Sequence, residues 1–129
     1  MDKNTYYKYL FVVGATWNIL ASLSFIMTSI FMRSAFPAYG IAIPISMIWL
    51  QSFLFLVANL GIGYLIVSLD ISKNHGIVVI GIIAKIGYFL ISLAYFVIGD
   101  IGILTLLFAG VDIIFSILFI EFLINYKNI

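Results

Sequence analysis

The sequence predicts an all-α fold, an integral membrane four-helix bundle whose helices run alternately up and down. The first observation is composition: 65% of the residues are hydrophobic and 9% are charged, whereas a soluble domain is about half apolar and about a quarter charged. The second is that the apolar residues form four runs, each at least as long as the ~20 residues that a helix needs to cross a bilayer. One core of this size cannot hide that apolar excess, so we expect lipid to solvate the chain.

The four runs belong to one predicted domain that covers residues 1–129. The predicted spans are residues 10–32, 45–69, 77–98 and 101–124. Both prolines lie between the first two spans, and Gly99 and Asp100 form the tight turn between the last two. Such short connections make consecutive helices antiparallel neighbours.

The distribution of basic residues predicts how the bundle is oriented. Lys3, Lys8, Lys73 and Lys127 all lie on the side of the N-terminus, and Arg33 lies on the other side. Loops rich in lysine and arginine stay in the cytoplasm. The sequence therefore predicts a multi-pass protein of the cytoplasmic (inner) membrane with both termini in the cytoplasm.

Composition also excludes several classes of function. The chain has no cysteine, which removes disulfides and thiolate metal sites, and His75 is its one histidine, which excludes paired haem ligands. A net charge of +1 offers no basic face to nucleic acid. The sequence contains neither a glycine-rich phosphate loop nor a nucleophile elbow. We therefore predict no enzymatic activity, no cofactor and no metal, with the lipid bilayer as the main partner.

Each predicted span carries one strongly polar side chain near its middle. In chain order these are Asn18, Asn59, Lys85 and Asp112. With a helical rise of 1.5 Å per residue, they lie roughly 12 to 18 Å from the cytoplasmic ends of their spans. An unpaired lysine or aspartate at the bilayer centre costs about 2.5–3.5 kcal/mol on insertion scales. Because the turn at Gly99 places Lys85 nearly opposite Asp112, the sequence predicts an ion pair within a buried polar layer.

Helical spacing places further polar residues on the same faces. Tyr88 and Ser92 follow Lys85 by three and seven residues, and Ser116 follows Asp112 by four. Residues with this spacing share one side of a helix, and small or polar ones favour contacts between membrane helices. The residues assigned to the inner face of the second span are Ser52, Asn59 and Gly63.

The polar layer supports two functional interpretations. In the first, the layer holds the four helices in register, and the protein is a bundle scaffold or a small subunit of a membrane complex. In the second, the layer is the ligand or proton site of a proton-linked carrier, or of a binding protein for a small solute or lipid. Glu121 lies on the opposite face of its helix near the cytoplasmic end. It is either an interfacial carboxylate or a contact with a second copy of the chain or another membrane subunit.

The second half of the chain carries two stretches with a familiar pattern, "GIGYLIVSLDISKNHGIVVIGIIAKIGYFL" and "GDIGILTLLFAGVDIIFSILFIEFL". They resemble an uncharacterised group of small bacterial four-span inner-membrane proteins with a D-P-x-R-type loop, a G-x-x-x-K setting and a G-D-x-x-F-A-x-L-F-like run. The corresponding positions are residues 70–73, 81–85 and 111–119, with Ile71 in place of the proline and Val111 in place of the glycine. The resemblance implies the topology and the Lys–Asp pair, and no activity. DoxX-like proteins are similar in length and layout only.

Overall fold

The computed structural model describes residues 1–128 and confirms the predicted all-α fold: four long apolar helices form a bundle. These helices are α1 (Lys3–Phe31), α2 (Ile48–Leu69), α3 (His75–Val97) and α4 (Ile103–Asn125). Short 3₁₀ helices cover Arg33–Tyr39 and Tyr126–Asn128. Each long helix has the length and apolar composition needed to cross a membrane.

The α1 helix begins well before the predicted apolar span. Its first turn is capped by Asp2, whose Oδ1 accepts a hydrogen bond from the backbone N–H of Thr5 at 2.7 Å. Such a cap satisfies one of the N–H groups that the first turn leaves free. The helix therefore starts at its capping residue, whereas the apolar run alone places the start at Leu10.

The helices pack as two hairpins. The contacts within the α1–α2 hairpin and within the α3–α4 hairpin are extensive, and those between the two hairpins are sparser. Gly61 shows how close α2 comes to α1, because a Cβ at this position would lie 3.1 Å from the backbone oxygen of Ala15 and 2.7 Å from Cγ1 of Ile19. Small residues permit this backbone approach in membrane helices.

Aromatic side chains fill the end of the bundle that carries the chain termini. We call this group the aromatic core; its fully buried members are Tyr7, Phe11, Tyr64, Phe119 and Phe122. The ring centroids of Phe11 and Phe119 lie 4.9 Å apart, and those of Phe11 and Phe122 meet edge to face at 4.9 Å. These separations are typical of packed aromatic pairs, so this end of the bundle is closed.

At the opposite end, the first loop is tied to the start of α4 by a glycine contact between Gly40 and Gly102. The N–H of Gly102 donates to the carbonyl of Gly40 at 2.9 Å. A Cβ on Gly40, whose φ is 77°, would lie only 2.6 Å from Cα of Gly102. Beside it, the hydroxyl of Thr105 donates to the carbonyl of Tyr39 at 2.6 Å. The two hairpins are thus joined through backbone atoms at this end.

The turn between α3 and α4 lies where the sequence predicts it. Gly99 has a φ of 86°, and its N–H donates to the carbonyl of Phe96 at 3.0 Å. The next N–H, that of Asp100, reaches back to the carbonyl of Tyr95 at 2.9 Å. This pair of bonds is the Schellman motif, which needs a left-handed residue at the position of the glycine. The turn fixes the register of α3 against α4.

The loop between α2 and α3 is stabilised by Asp70. This exposed carboxylate accepts hydrogen bonds from the backbone and the hydroxyl of Ser72, and it lies 3.2 Å from Nζ of Lys73. The Ser72 hydrogen bonds and the neighbouring Lys73 lower the pKa of Asp70 to about 2. The loop is therefore organised by a charged carboxylate at neutral pH.

Candidate functional site

Three side chains from three helices meet at the centre of the bundle. Nζ of Lys85 on α3 donates to Oδ1 of Asp112 on α4 at 2.7 Å and to Oδ1 of Asn18 on α1 at 3.0 Å. We call these three residues the polar cluster. The ion pair between Lys85 and Asp112 that the sequence predicts is present, with Asn18 as a third member.

The polar cluster is also linked to α2. Nδ2 of Asn18 donates to the backbone carbonyl of Val57 at 3.3 Å, so hydrogen bonds from the cluster reach all four helices. Each of the four residues lies near the middle of its helix. Lys85 is buried there, so protein atoms must take the place of water around its charge.

Two aromatic rings complete the surroundings of Lys85. Its Nζ lies 5.6 Å from the ring centroid of Tyr64 and 5.3 Å from that of Phe115. A cation over an aromatic face is attracted by the negative charge of the ring. The Lys85 side chain is 4% exposed and that of Asp112 is 15% exposed, so Asp112 is the more accessible member of the pair.

Asn59 does not belong to the polar cluster, and its predicted place in the buried layer is wrong. The structure leaves both Asn59 and Ser52 exposed on the outside of α2. The buried positions of this helix are Leu54, Gly61, Tyr64 and Val67. Residues two apart, such as Asn59 and Gly61, point to nearly opposite faces of a helix. Because α2 is apolar on every side, its polar residues do not mark the face that packs inward.

The three secondary residues take different positions. Ser92 and Ser116 are buried. The Ser116 hydroxyl donates to the backbone carbonyl of Asp112 at 2.9 Å, and not to the Asp112 carboxylate. Tyr88 is half-buried, and its ring centroid lies 5.5 Å from that of Phe53 on α2. Of the three, Tyr88 faces the space between the hairpins.

Glu121 lies away from the polar cluster, near the terminal end of α4. It is exposed, and its Oε1 accepts a hydrogen bond at 3.2 Å from the hydroxyl of Tyr7 on α1. This contact joins the first and last helices at the end where the sequence places the cytoplasm.

A cavity of about 260 Å³ lies between the two hairpins beside the polar cluster. Two aromatic pairs line it. The rings of Trp17 and Phe108 stack at 5.9 Å between α1 and α4, and those of Phe53 and Tyr88 meet at 5.5 Å between α2 and α3. The cavity therefore has mostly apolar walls and one charged pair, a composition typical of small-molecule sites.

The cavity is closed toward the terminal end and reaches the outer surface at its side. The aromatic core fills the bundle on the side of the termini. The side chain of Leu56 lines the cavity, and this residue is 63% exposed on the outside of α2. If the helices cross a bilayer, this side of the cavity borders on lipid.

Two polar atoms at the centre have no hydrogen-bond partner among residues 1–128. They are Oδ2 of Asp112, a residue that lines the cavity, and the hydroxyl of Tyr64, which is fully buried. Within the same residues, no group of three histidine, aspartate or glutamate side chains lies close enough to hold a metal ion. Asp112, the more exposed member of the ion pair, thus offers a ligand a hydrogen-bond acceptor beside aromatic rings.

Comparisons with protein-family models, curated proteins and solved structures found no match for this chain. Its function is therefore inferred from the chemistry of the polar cluster and the cavity.

Sequence reasoning missed the cavity and the two rings around Lys85. The position of Gly81 carries a signal for one of them. A Cβ there would lie 2.8 Å from Cε1 of Tyr64, one helical turn before Lys85. The glycine thus leaves room for a ring from the facing helix beside the lysine.

Proposed function

We propose that the protein is a multi-pass protein of the cytoplasmic membrane that binds a small, mainly apolar, net-neutral solute between its two helical hairpins. The observation that carries this proposal is the cavity of about 260 Å³ with a buried ion pair in its wall. The excess of lysine at the terminal end supports termini in the cytoplasm. The resemblance to small bacterial four-span proteins supports the same topology.

The size of the cavity limits the solute. An engineered apolar cavity of about 150 Å³ holds benzene, and sites for drug-sized ligands start at about 300 Å³. A cavity of about 260 Å³ therefore suits one aromatic ring or a short branched chain with a single polar group. The stacked pair of Trp17 and Phe108 favours a flat solute.

The charge of the site limits the solute as well. Lys85 and Asp112 already neutralise each other at 2.7 Å. A charged solute would leave one charge without a partner at the bilayer centre, where such a charge costs about 2.5–3.5 kcal/mol on insertion scales. The site thus favours a solute without net charge.

The route into the cavity favours binding over transport. The exposed position of Leu56 on its wall supports entry from the lipid. A carrier also needs a path to the terminal end, and the aromatic core fills that path with tightly packed rings. Proton-linked transport would require these rings to move apart.

The second candidate is a scaffold or small subunit of a membrane complex. The hydrogen bonds of the polar cluster support it, because through Asn18 and Val57 they connect all four helices. In that case the cluster fixes the geometry of the bundle, and the cavity is occupied by lipid without preference.

Tryptophan fluorescence separates the two candidates, because the chain has two tryptophans. The Trp49→Phe variant reports from Trp17 in the cavity wall, and Trp17→Phe reports from Trp49, which is 80% exposed. Each variant, in lipid nanodiscs, is titrated with 4-bromophenol, a neutral ring whose bromine quenches indole fluorescence. We expect saturable quenching of Trp17 and linear quenching, from probe dissolved in lipid, of Trp49.

A pair of alanines supplies the matched control. Ala84 lines the cavity and Ala94 is exposed on the same helix. In the Trp49→Phe background, Ala84→Phe should remove the saturable quenching by filling the cavity, and Ala94→Phe should leave it unchanged. Linear quenching of Trp17 in the folded protein contradicts the proposed binding function and favours the scaffold.

A further inference from the structure

The two charged groups of the polar cluster differ in how completely the protein satisfies their hydrogen-bonding capacity. An ammonium group has three N–H donors. Lys85 gives hydrogen bonds to Asp112 and Asn18, and the faces of Tyr64 and Phe115 lie within 5.6 Å of its nitrogen. Lys85 also lines the cavity, but its side chain is only 4% exposed.

Only one of the two carboxylate oxygens of Asp112 accepts a hydrogen bond from the protein. A carboxylate accepts hydrogen bonds at both oxygens, and Oδ1 receives one from Lys85. Oδ2 receives none from residues 1–128, and the Asp112 side chain lines the cavity with 15% of its surface exposed. A charged acceptor without a donor in an apolar site is costly, and a ligand that supplies the donor removes that cost.

We infer that the cavity selects net-neutral hydrogen-bond donors, namely alcohols, phenols or ring N–H compounds, which donate to Oδ2 of Asp112. This inference rests on the proposed binding function and names its ligand class. Carbonyl and ether ligands are disfavoured, because they bring lone pairs toward the carboxylate, and the lysine that could donate to them has a side chain only 4% exposed. Ammonium and carboxylate ligands are disfavoured because each adds a charge that the pair cannot balance.

Two probes, one with an O–H donor and one without it, test the inference. The methyl ether 4-bromoanisole has the ring and bromine of 4-bromophenol and no O–H group. Both are titrated into the Trp49→Phe protein in nanodiscs, with concentrations corrected for the measured partition of each probe into lipid. We expect the dissociation constant of the ether to be larger by about tenfold, the ratio that corresponds to one hydrogen bond to a charged group.

A double variant assigns that preference to the carboxylate. Lys85→Met with Asp112→Leu removes both charges together, so neither is left without its partner. In this background the ratio of the two dissociation constants should fall to about one, with thermal unfolding showing that the bundle is still formed. A phenol preference that persists in the double variant overturns the assignment to Asp112.

The possible failures are distinguishable. If both probes saturate with equal dissociation constants in the Trp49→Phe protein, the donor inference is wrong and the binding function stands. If neither probe saturates, the binding function fails and the inference fails with it.

Discussion

At Lys85, two oxygen atoms and two aromatic rings surround one ammonium group in the middle of the bundle. The oxygens of Asp112 and Asn18 lie within 3.0 Å of its nitrogen. Neither charge has another charged partner within hydrogen-bonding distance among residues 1–128. Each member of the pair therefore lowers the free-energy cost of burying the other.

This dependence predicts the outcome of a double-mutant cycle. Lys85→Met and Asp112→Leu should each lower the free energy of unfolding by about 3 kcal/mol, because each leaves the other charge buried without its partner. The double variant should lose less than either single variant. The measurement is thermal unfolding of the wild type and the three variants in lipid nanodiscs. Single variants that unfold like the wild type, with additive effects in the double variant, would show that the two groups are solvated independently.

The ion pair was predictable from the sequence and the position of Asn59 was not, because the two hairpins have different connections. Gly99 requires a tight turn, so the register of α3 against α4 follows from counting residues on each side. The helices α1 and α2 are joined by a longer loop with two prolines, and its glycine turn at Gly40 ends a 3₁₀ helix and does not connect the two helices directly. The rotation of α2 is decided by contacts such as that of Gly61 with Ala15, which only the folded structure displays.

At the scale of helices, Gly81 and Gly87 lie on the same helix with opposite surroundings. A Cβ on Gly81 would lie 2.5 Å from the hydroxyl and 2.8 Å from Cε1 of Tyr64, whereas a Cβ on Gly87 meets no atom within 4 Å. Because Tyr64 is fully buried, its ring has little room to move, and overpacking of this kind costs about 1–3 kcal/mol.

The pair of alanine variants follows from this difference. Gly81→Ala should lower the free energy of unfolding by about 1–3 kcal/mol, because it forces α3 away from α2. Gly87→Ala should raise it by up to about 1 kcal/mol, because alanine favours the helix over glycine. Both are measured by unfolding in nanodiscs. Equal effects of the two substitutions would contradict the close contact of α2 and α3 at Tyr64.

The spacing of polar residues along α3 and α4 predicts the inward faces of these helices. It does not predict the cavity. Buried Ser92 and Ser116 lie on the predicted faces. A void, however, depends on the distance between the hairpins, which is set by bulky pairs such as Trp17 with Phe108. Aromatic residues in an apolar run look alike whether they face lipid, a core or a cavity.

At the scale of the whole molecule, the absence of cysteine allows a direct test of orientation. Ser34 lies in the first loop and Ser72 in the second, and both are exposed. With termini in the cytoplasm, a membrane-impermeant maleimide should label Ser34→Cys from outside intact cells. It should label Ser72→Cys only after the membrane is opened. The reverse pattern would contradict the proposed orientation, and the cysteine-free parent shows the background.

The glycine contact between the first loop and α4 has a consequence for how the bundle is made. Gly40 leaves the ribosome roughly 60 residues before Gly102, which at about 5–20 residues per second is an interval of several seconds. During that interval the loop between α1 and α2 lacks its partner on α4. The contact of Gly102 with Gly40 therefore joins the two hairpins late, once the start of α4 has been synthesised.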